Sequence, residues 1–93
     1  MNKSNVIKVL VADDHAVVRQ GIKQILSKTA DLSVIDEAEN GMQVLEKVQA
    51  QLPDVVVMDI EMPVKSGWEV LPQLKSLYPK LPVIILSIHS EDM

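Results

Sequence analysis

Short apolar runs alternate along this chain with stretches of helical periodicity. Val6 to Ala12, Asp54 to Ile60 and Val83 to Ile88 are rich in valine, isoleucine and leucine, with almost no polar alternation. Such runs are too short for buried helices, and valine favours strands, so each predicts a strand covered on both faces. Leu32 to Glu39 predicts a further strand, but Asp36, Glu37 and Glu39 interrupt it. A strand this polar belongs at a sheet edge, where charge also deters unwanted pairing.

Three helices fill the intervals. Val18, Ile22, Ile25 and Leu26 fall at i, i+4, i+7 and i+8, which predicts a helix from His15 to about Lys28 with one apolar face. Asp14 is placed to cap it. The second helix runs from about Gly41 to Gln51 and buries Val44, Leu45 and Val48, with Leu52 beyond and Pro53 closing it. Asn40-Gly41 forms the turn before it, and Asn40 with Gln43 resembles a capping box. Ser66-Gly-Trp-Glu69 is a capping box for the third helix, which ends near Leu77. Pro72 lies inside that helix and lacks the N–H that would bond the Trp68 carbonyl, so a kink or a tightened first turn is expected. Pro79 and Pro82 bracket the turn into the last strand.

The order β-α-β-α-β-α-β predicts an α/β fold with a parallel sheet and right-handed crossovers. The polar strand is an edge; the other three read as interior. The fourth strand has interior composition, yet no fifth strand follows it in the chain, so its open edge is expected to pair with another chain or be covered by a partner.

With 93 residues, the chain makes one domain. Nearly half the residues are apolar (47%), which argues against disorder. Trp68 and Tyr78 are the only aromatics, so the core must be aliphatic. The lack of cysteine excludes disulfides, thiolate metal sites and a cysteine nucleophile, and suits the cytosol. A net charge of −4 without a basic stripe does not suit a nucleic-acid binder. The first apolar run, broken by Lys8 and followed by two aspartates, is not a signal peptide, and no run reaches membrane-span length.

The chemistry concentrates at the strand ends. In open α/β sheets ligands bind beyond the carboxyl ends of the strands. Asp13 and Asp14 follow the first strand, Asp59 ends the third and Ser87 ends the fourth. If the first and third strands are neighbours, three carboxylates converge on one cleft. Two like charges at 4 Å repel by about 4 kcal/mol at an effective dielectric of 20. A shared cation relieves that repulsion, and an all-oxygen site suits Mg²⁺ or Mn²⁺. A carboxylate and a hydroxyl beside such an ion are the parts needed to receive a phosphoryl group. Each residue has a plainer explanation: a strand-end aspartate turned to solvent, a helix cap at Asp14, a small buried hydroxyl at Ser87. Only the joint pattern is specific.

Val9-Leu-Val-Ala-Asp-Asp-His15, Asp54-Val-Val-Val-Met-Asp-Ile-Glu-Met-Pro63, Ser66-Gly67 and Pro82-Val-Ile-Ile-Leu-Ser87 together closely resemble the receiver domain of bacterial two-component response regulators. The Asp-Asp-His opening and Val18-Arg-Gln-Gly-Ile22 look most like the NarL/LuxR-type transcriptional subfamily. The resemblance spans essentially the whole chain. It implies a doubly wound, flavodoxin-like sheet, of strand order 2-1-3-4-5 in complete receivers. It implies that Asp59 accepts a phosphoryl group from a phosphohistidine on a sensor histidine kinase. Asp13, Asp14 and Asp59 would hold Mg²⁺ or Mn²⁺, with the backbone carbonyl of Glu61 as a further ligand. Ser87 would be the switch hydroxyl, and Glu61 and His89 would adjust how fast the aspartyl phosphate hydrolyses. His89 has a plainer explanation as a surface residue.

Against that pattern the chain ends early, with order 2-1-3-4 expected and without the fourth helix, fifth strand and fifth helix. The family's phosphate-binding lysine and aromatic switch residue go with them. Lys65 is no replacement, since its loop position predicts a solvent-facing side chain. A chain so cut is expected to bind Mg²⁺ but take up phosphate poorly, and to associate through the fourth strand as a homodimer or by strand exchange. The helix-turn-helix output domain of the subfamily, its route to DNA, is absent too. The expected role is a cytoplasmic phosphoacceptor in signalling rather than a turnover enzyme.

Three rivals fit less well. An aspartyl-phosphate phosphatase usually carries a second aspartate two residues after the first, where this chain has Glu61. A nucleotide-binding module lacks its Gly-rich loop, since Gly21, Gly41 and Gly67 are isolated. A pseudo-receiver signalling by contact alone would not need all three acidic positions.

Overall fold

Residues 6–86, the part of the chain that the computed structural model describes, form an alternating β/α unit. In order they are β1 (Ile7–Ala12), α1 (Ala16–Ser27), β2 (Leu32–Ala38), α2 (Gly41–Ala50), β3 (Val55–Asp59), α3 (Gly67–Leu77) and β4 (Val83–Leu86). All strand pairs are parallel, and the sheet order is β2-β1-β3-β4. The predicted edge position of β2 and the central positions of β1 and β3 are observed. Within the described sheet β4, read as interior from its composition, lies at the other edge.

Past the exposed Ile7 and Lys8, both faces of β1 are buried from Val9 to Ala12, as an apolar run without polar alternation requires. Leu10 and Ala12 of β1, Val56 and Met58 of β3, and Ala38 of β2 face α2 and α3 and form the main core with Val44, Val48, Val70 and Leu74. Val9 and Val11, on the opposite face, are also buried.

The α1 side is looser. Val18, Ile22 and Leu26 are only half-buried, and Ile25, predicted on the apolar face, is 66% exposed. The helix α1 packs more against β2 than against β1. Ion pairs hold it there. Glu37 of β2 accepts from Lys23 Nζ at 2.6 Å and Arg19 Nε at 2.8 Å.

The polar character of β2 has a use beyond edge protection. A bulge breaks its register with β1: Val9 opposes Val34 and Leu10 opposes Asp36, so Ile35 is the extra residue. Past the bulge, Asp36 and Glu37 point to opposite faces of the sheet. Glu37 meets α1 as described, and Asp36 accepts from Lys47 Nζ of α2 at 2.9 Å. The edge strand is thus tied by charge to a helix on each side.

The helix starts differ in how they are capped. Ser66 and Glu69 form the predicted reciprocal capping box of α3. Pro72 is accommodated without ending that helix. Asn40 caps α2 through Gln43 N–H at 2.9 Å, but Gln43 Oε1 reaches back to the Glu39 N–H rather than to Asn40. Asp14 does not cap α1. The N-cap is His15, which makes no side-chain cap bond, and Asp14 stands one residue too early to reach the first free amides.

Lys23 and, next, Arg19 hold the Glu37 carboxyl below its ordinary value of 4.5. A depressed carboxylate pKa stabilises the fold above the unfolded-state value and loses that contribution as pH falls through the folded-state value. Glu37→Gln should therefore cost about 0.5–1 kcal/mol near neutrality, the pair being part-exposed and screened. In urea melts, the gap between wild type and variant should close as the pH is lowered below the ordinary value of 4.5.

Candidate functional site

The parallel register carries β1 and β3 to the same end of the sheet, with Ala12 opposite Met58. Asp13 follows Ala12, and Asp59 is the last residue of β3, so the two lie side by side. Both are 2% exposed, which removes the alternative of a strand-end aspartate turned to solvent. Asp14 lies beside them at the surface. Oxygens of Asp13, Asp14 and Asp59 and a ring nitrogen of His15 fall within 4.8 Å of one another. Ser87 and His89 lie outside the described residues.

Backbone bonds place these groups. The Asp13 N–H donates to the Ala38 carbonyl at 3.0 Å, and the Asp13 carbonyl accepts from Arg19 Nη1 at 2.6 Å. The same Arg19 pairs with Glu37, so one guanidinium links β1, α1 and β2. Asp59 is placed from the other side by α3. The Gly67 N–H donates to the Ile60 carbonyl at 2.7 Å, and a Cβ on Gly67 would stand 2.7 Å from the Asp59 carbonyl oxygen. Only glycine lets the start of α3 press this closely on the end of β3.

The loop between β3 and α3 is pinned in the same way. The Gly41 N–H, at the start of α2, donates to the Lys65 carbonyl at 2.8 Å, and a side chain on Gly41 would run into that carbonyl. Lys65 is half-buried, with its backbone carbonyl bonded to the start of α2. Val64, next to it, is held at φ 67°, a left-handed conformation that is costly for a β-branched residue. Glu61 is exposed, and Asp14, His15, Glu61, Met62, Pro63 and Ser66 line an open cleft of about 580 Å³.

His15 is the least expected member of the site. Its N–H donates to Asp13 Oδ1 at 2.8 Å, and its ring Nδ1 lies 3.0 Å from that oxygen and 3.1 Å from Asp14 Oδ1. The hydrogen bond to Asp13, then the charge of Asp14, raises the imidazole pKa above its ordinary 6.5. Reading by periodicity assigned His15 only to a helix start, and Arg19 no role. The available signals were adjacency to the Asp-Asp pair and, for Arg19, one helical turn of separation from His15.

The donor set fits a hard divalent ion. Mg²⁺ with ligands at ~2.1 Å places opposing oxygens about 4.2 Å apart, so a 4.8 Å spread closes with small side-chain rotations. Carboxylates crowded without a cation repel, which favours that closure around one.

A doubly wound α/β domain with clustered carboxylates where its two central strands end has the design of a signalling receiver. The chain belongs to the response regulator receiver domain family, whose family model matches residues 9–93. It is 37% identical to the nitrate/nitrite response regulator protein NarL of Escherichia coli over the whole of this chain and 44% of that protein. It is 44% identical to a protein-glutamate methylesterase/protein-glutamine glutaminase of Treponema denticola over 92% of this chain and 23% of that protein. The signal receiver domain of the putative response regulator NarL from Mycobacterium tuberculosis has a TM-score of 0.85 at 34% identity, covering 94% of this chain and 70% of that one. The chain spans less than half the length of these curated relatives.

Two substitutions beside the site should act in opposite directions. Val64→Gly relieves a left-handed β-branched residue that is mostly exposed, and should stabilise by about 1 kcal/mol. Gly67→Ala forces a methyl against the Asp59 backbone and should destabilise by about 1–3 kcal/mol. Urea denaturation of both variants provides the measurement.

Proposed function

We infer that this chain is the phosphoacceptor domain of a two-component signalling protein, with Asp59 as the residue phosphorylated. The observation that carries this reading is the convergence of buried Asp59 with Asp13 and Asp14 at the ends of adjacent parallel strands. Asp13, Asp14 and Asp59 would hold Mg²⁺ or Mn²⁺, with the Glu61 backbone carbonyl as a further ligand. Bound there, the ion supplies positive charge to the oxygens of an incoming phosphoryl group.

The remaining work falls to the chain. A carboxylate oxygen of Asp59 attacks phosphorus, the P–N bond to the histidine of a sensor kinase breaks, and the nitrogen leaves with the bonding electrons. Asp59 is itself buried, and Glu61 and Met62 line the open cleft that also holds Asp14 and His15. Arg19 and Gly67 are positioning residues, since they act through the backbones of Asp13 and Asp59. Ser87 is assigned as the switch hydroxyl, and Glu61 and His89 as residues that modulate hydrolysis of the aspartyl phosphate.

For the parent protein we place the domain in the cytoplasm as the receiver of a longer regulator with a DNA-binding output. Support comes from the match to NarL over the whole of this chain and from the Asp-Asp-His opening. An enzymatic output is the second reading, favoured by 44% identity to the methylesterase of Treponema denticola. Promoter footprinting and methylesterase assay of the parent protein decide between them.

Incubation of the full-length parent protein with acetyl phosphate and Mg²⁺ should add one phosphoryl group, seen by intact mass and lost on treatment with hydroxylamine. EDTA should suppress the gain and Asp59→Asn should abolish it. Phosphorylation that survives Asp59→Asn would move the acceptor elsewhere; failure with both acetyl phosphate and a cognate kinase would refute the assignment.

A further inference from the structure

His15 occupies the position a cation would take between two of the carboxylates. Its Nδ1 lies 3.0 Å from Asp13 Oδ1 and 3.1 Å from Asp14 Oδ1, bridging the pair. Its side chain is otherwise free to move, being 60% exposed. An ion entering between those oxygens must therefore deal with the imidazole. Either the ring turns out into solvent, or its nitrogen becomes a ligand.

Which happens depends on the ion. Mg²⁺ demands oxygen donors in near-ideal octahedral geometry and keeps several waters, so an imidazole is a poor partner for it. Borderline ions such as Co²⁺ and Ni²⁺ take imidazole readily. Resting on the assignment of Asp13, Asp14 and Asp59 as the cation site, we propose that His15 is a specificity-determining residue for that site. It acts as a competitor that Mg²⁺ must displace and as a fourth ligand for borderline transition ions. The site is then a sensor of which divalent ion is available, with three carboxylates common to both states and one imidazole that distinguishes them.

Any mixed oxygen and nitrogen site ranks Co²⁺ above Mn²⁺, so absolute affinities do not discriminate. The informative quantity is the change on substitution. Calorimetric titration with MgCl₂ and, separately, CoCl₂ at one fixed pH would be run on wild type, His15→Ala and His15→Gln. Loss of the imidazole should tighten Mg²⁺ by about threefold, the scale of one modest hydrogen bond. It should weaken Co²⁺ by about tenfold or more. Glutamine keeps a polar side chain without the ring nitrogen and should behave as alanine does toward Co²⁺. The Co²⁺ d–d absorption band should shift between wild type and both variants, a readout that lost packing would not produce.

His15 and His89 are the only imidazoles in the chain, so His89→Ala identifies the ring responsible. If His89→Ala erases the Co²⁺ preference and His15→Ala does not, the inference is overturned. It is equally overturned if both ions shift in the same direction and by similar factors. If wild type binds neither ion, the carboxylate site itself fails, a result distinct from an unchanged ratio at a site that does bind.

Discussion

Like charges brought together are the constraint around which this domain is arranged. Asp13 and Asp59 sit almost out of solvent beside one another, with Asp14 at their edge. Each close pair repels by about 4 kcal/mol at 4 Å and a dielectric of 20. The backbone fixes them in place against that repulsion. It does so from two directions: β2 and Arg19 grip the peptide of Asp13, and the glycine start of α3 presses on the peptide of Asp59. A site that is costly in its own charges is placed at the ends of the two central strands. His15 offsets part of the repulsion on the accessible side, where a cation can replace it.

The supports form a connected set. Arg19 touches Asp13 and Glu37, and Glu37 also takes Lys23, so the seat of α1 on β2 and the position of the first acidic residue depend on the same side chains. The bulge at Ile35 gives β2 this reach, because it lets Asp36 and Glu37 serve helices on opposite faces. On the other side Gly41 and Gly67 hold the two ends of the β3–α3 loop, and Val64 between them takes up a conformation its side chain disfavours. That loop forms one wall of the cleft lined by Asp14 and His15. Among the described residues, strain is accepted where the cleft is built, as expected when several anchors over-determine a backbone.

Membership of the receiver family and the geometry of the pocket bear on different questions. The family model accounts for the fold and for signalling as the general role. Relatives with a transcriptional name and with a methylesterase name match this chain at 38% and 44% identity. The cleft, the three carboxylates and their backbone anchors lie within residues 12–67. No helix among the described residues is long and apolar enough to cross a membrane.

Local patterns alone determined the order of the elements, the polar edge strand, the Ser66–Glu69 capping box and the three acidic positions. Each of these is set within a few residues: valine runs make strands, a period near four makes helices, and a carboxylate after an apolar run marks a strand end. The tertiary structure decided what depends on distant neighbours. It placed β1 between β2 and β3, which is what brings Asp13 to Asp59. It put the bulge at Ile35, left Ile25 exposed, and drew Lys65 against α2. It turned His15 from a helix start into a bridge between carboxylates and gave Arg19 its hold on Asp13. These outcomes follow from which surfaces meet across dozens of residues, and hydrophobic periodicity carries no record of such meetings.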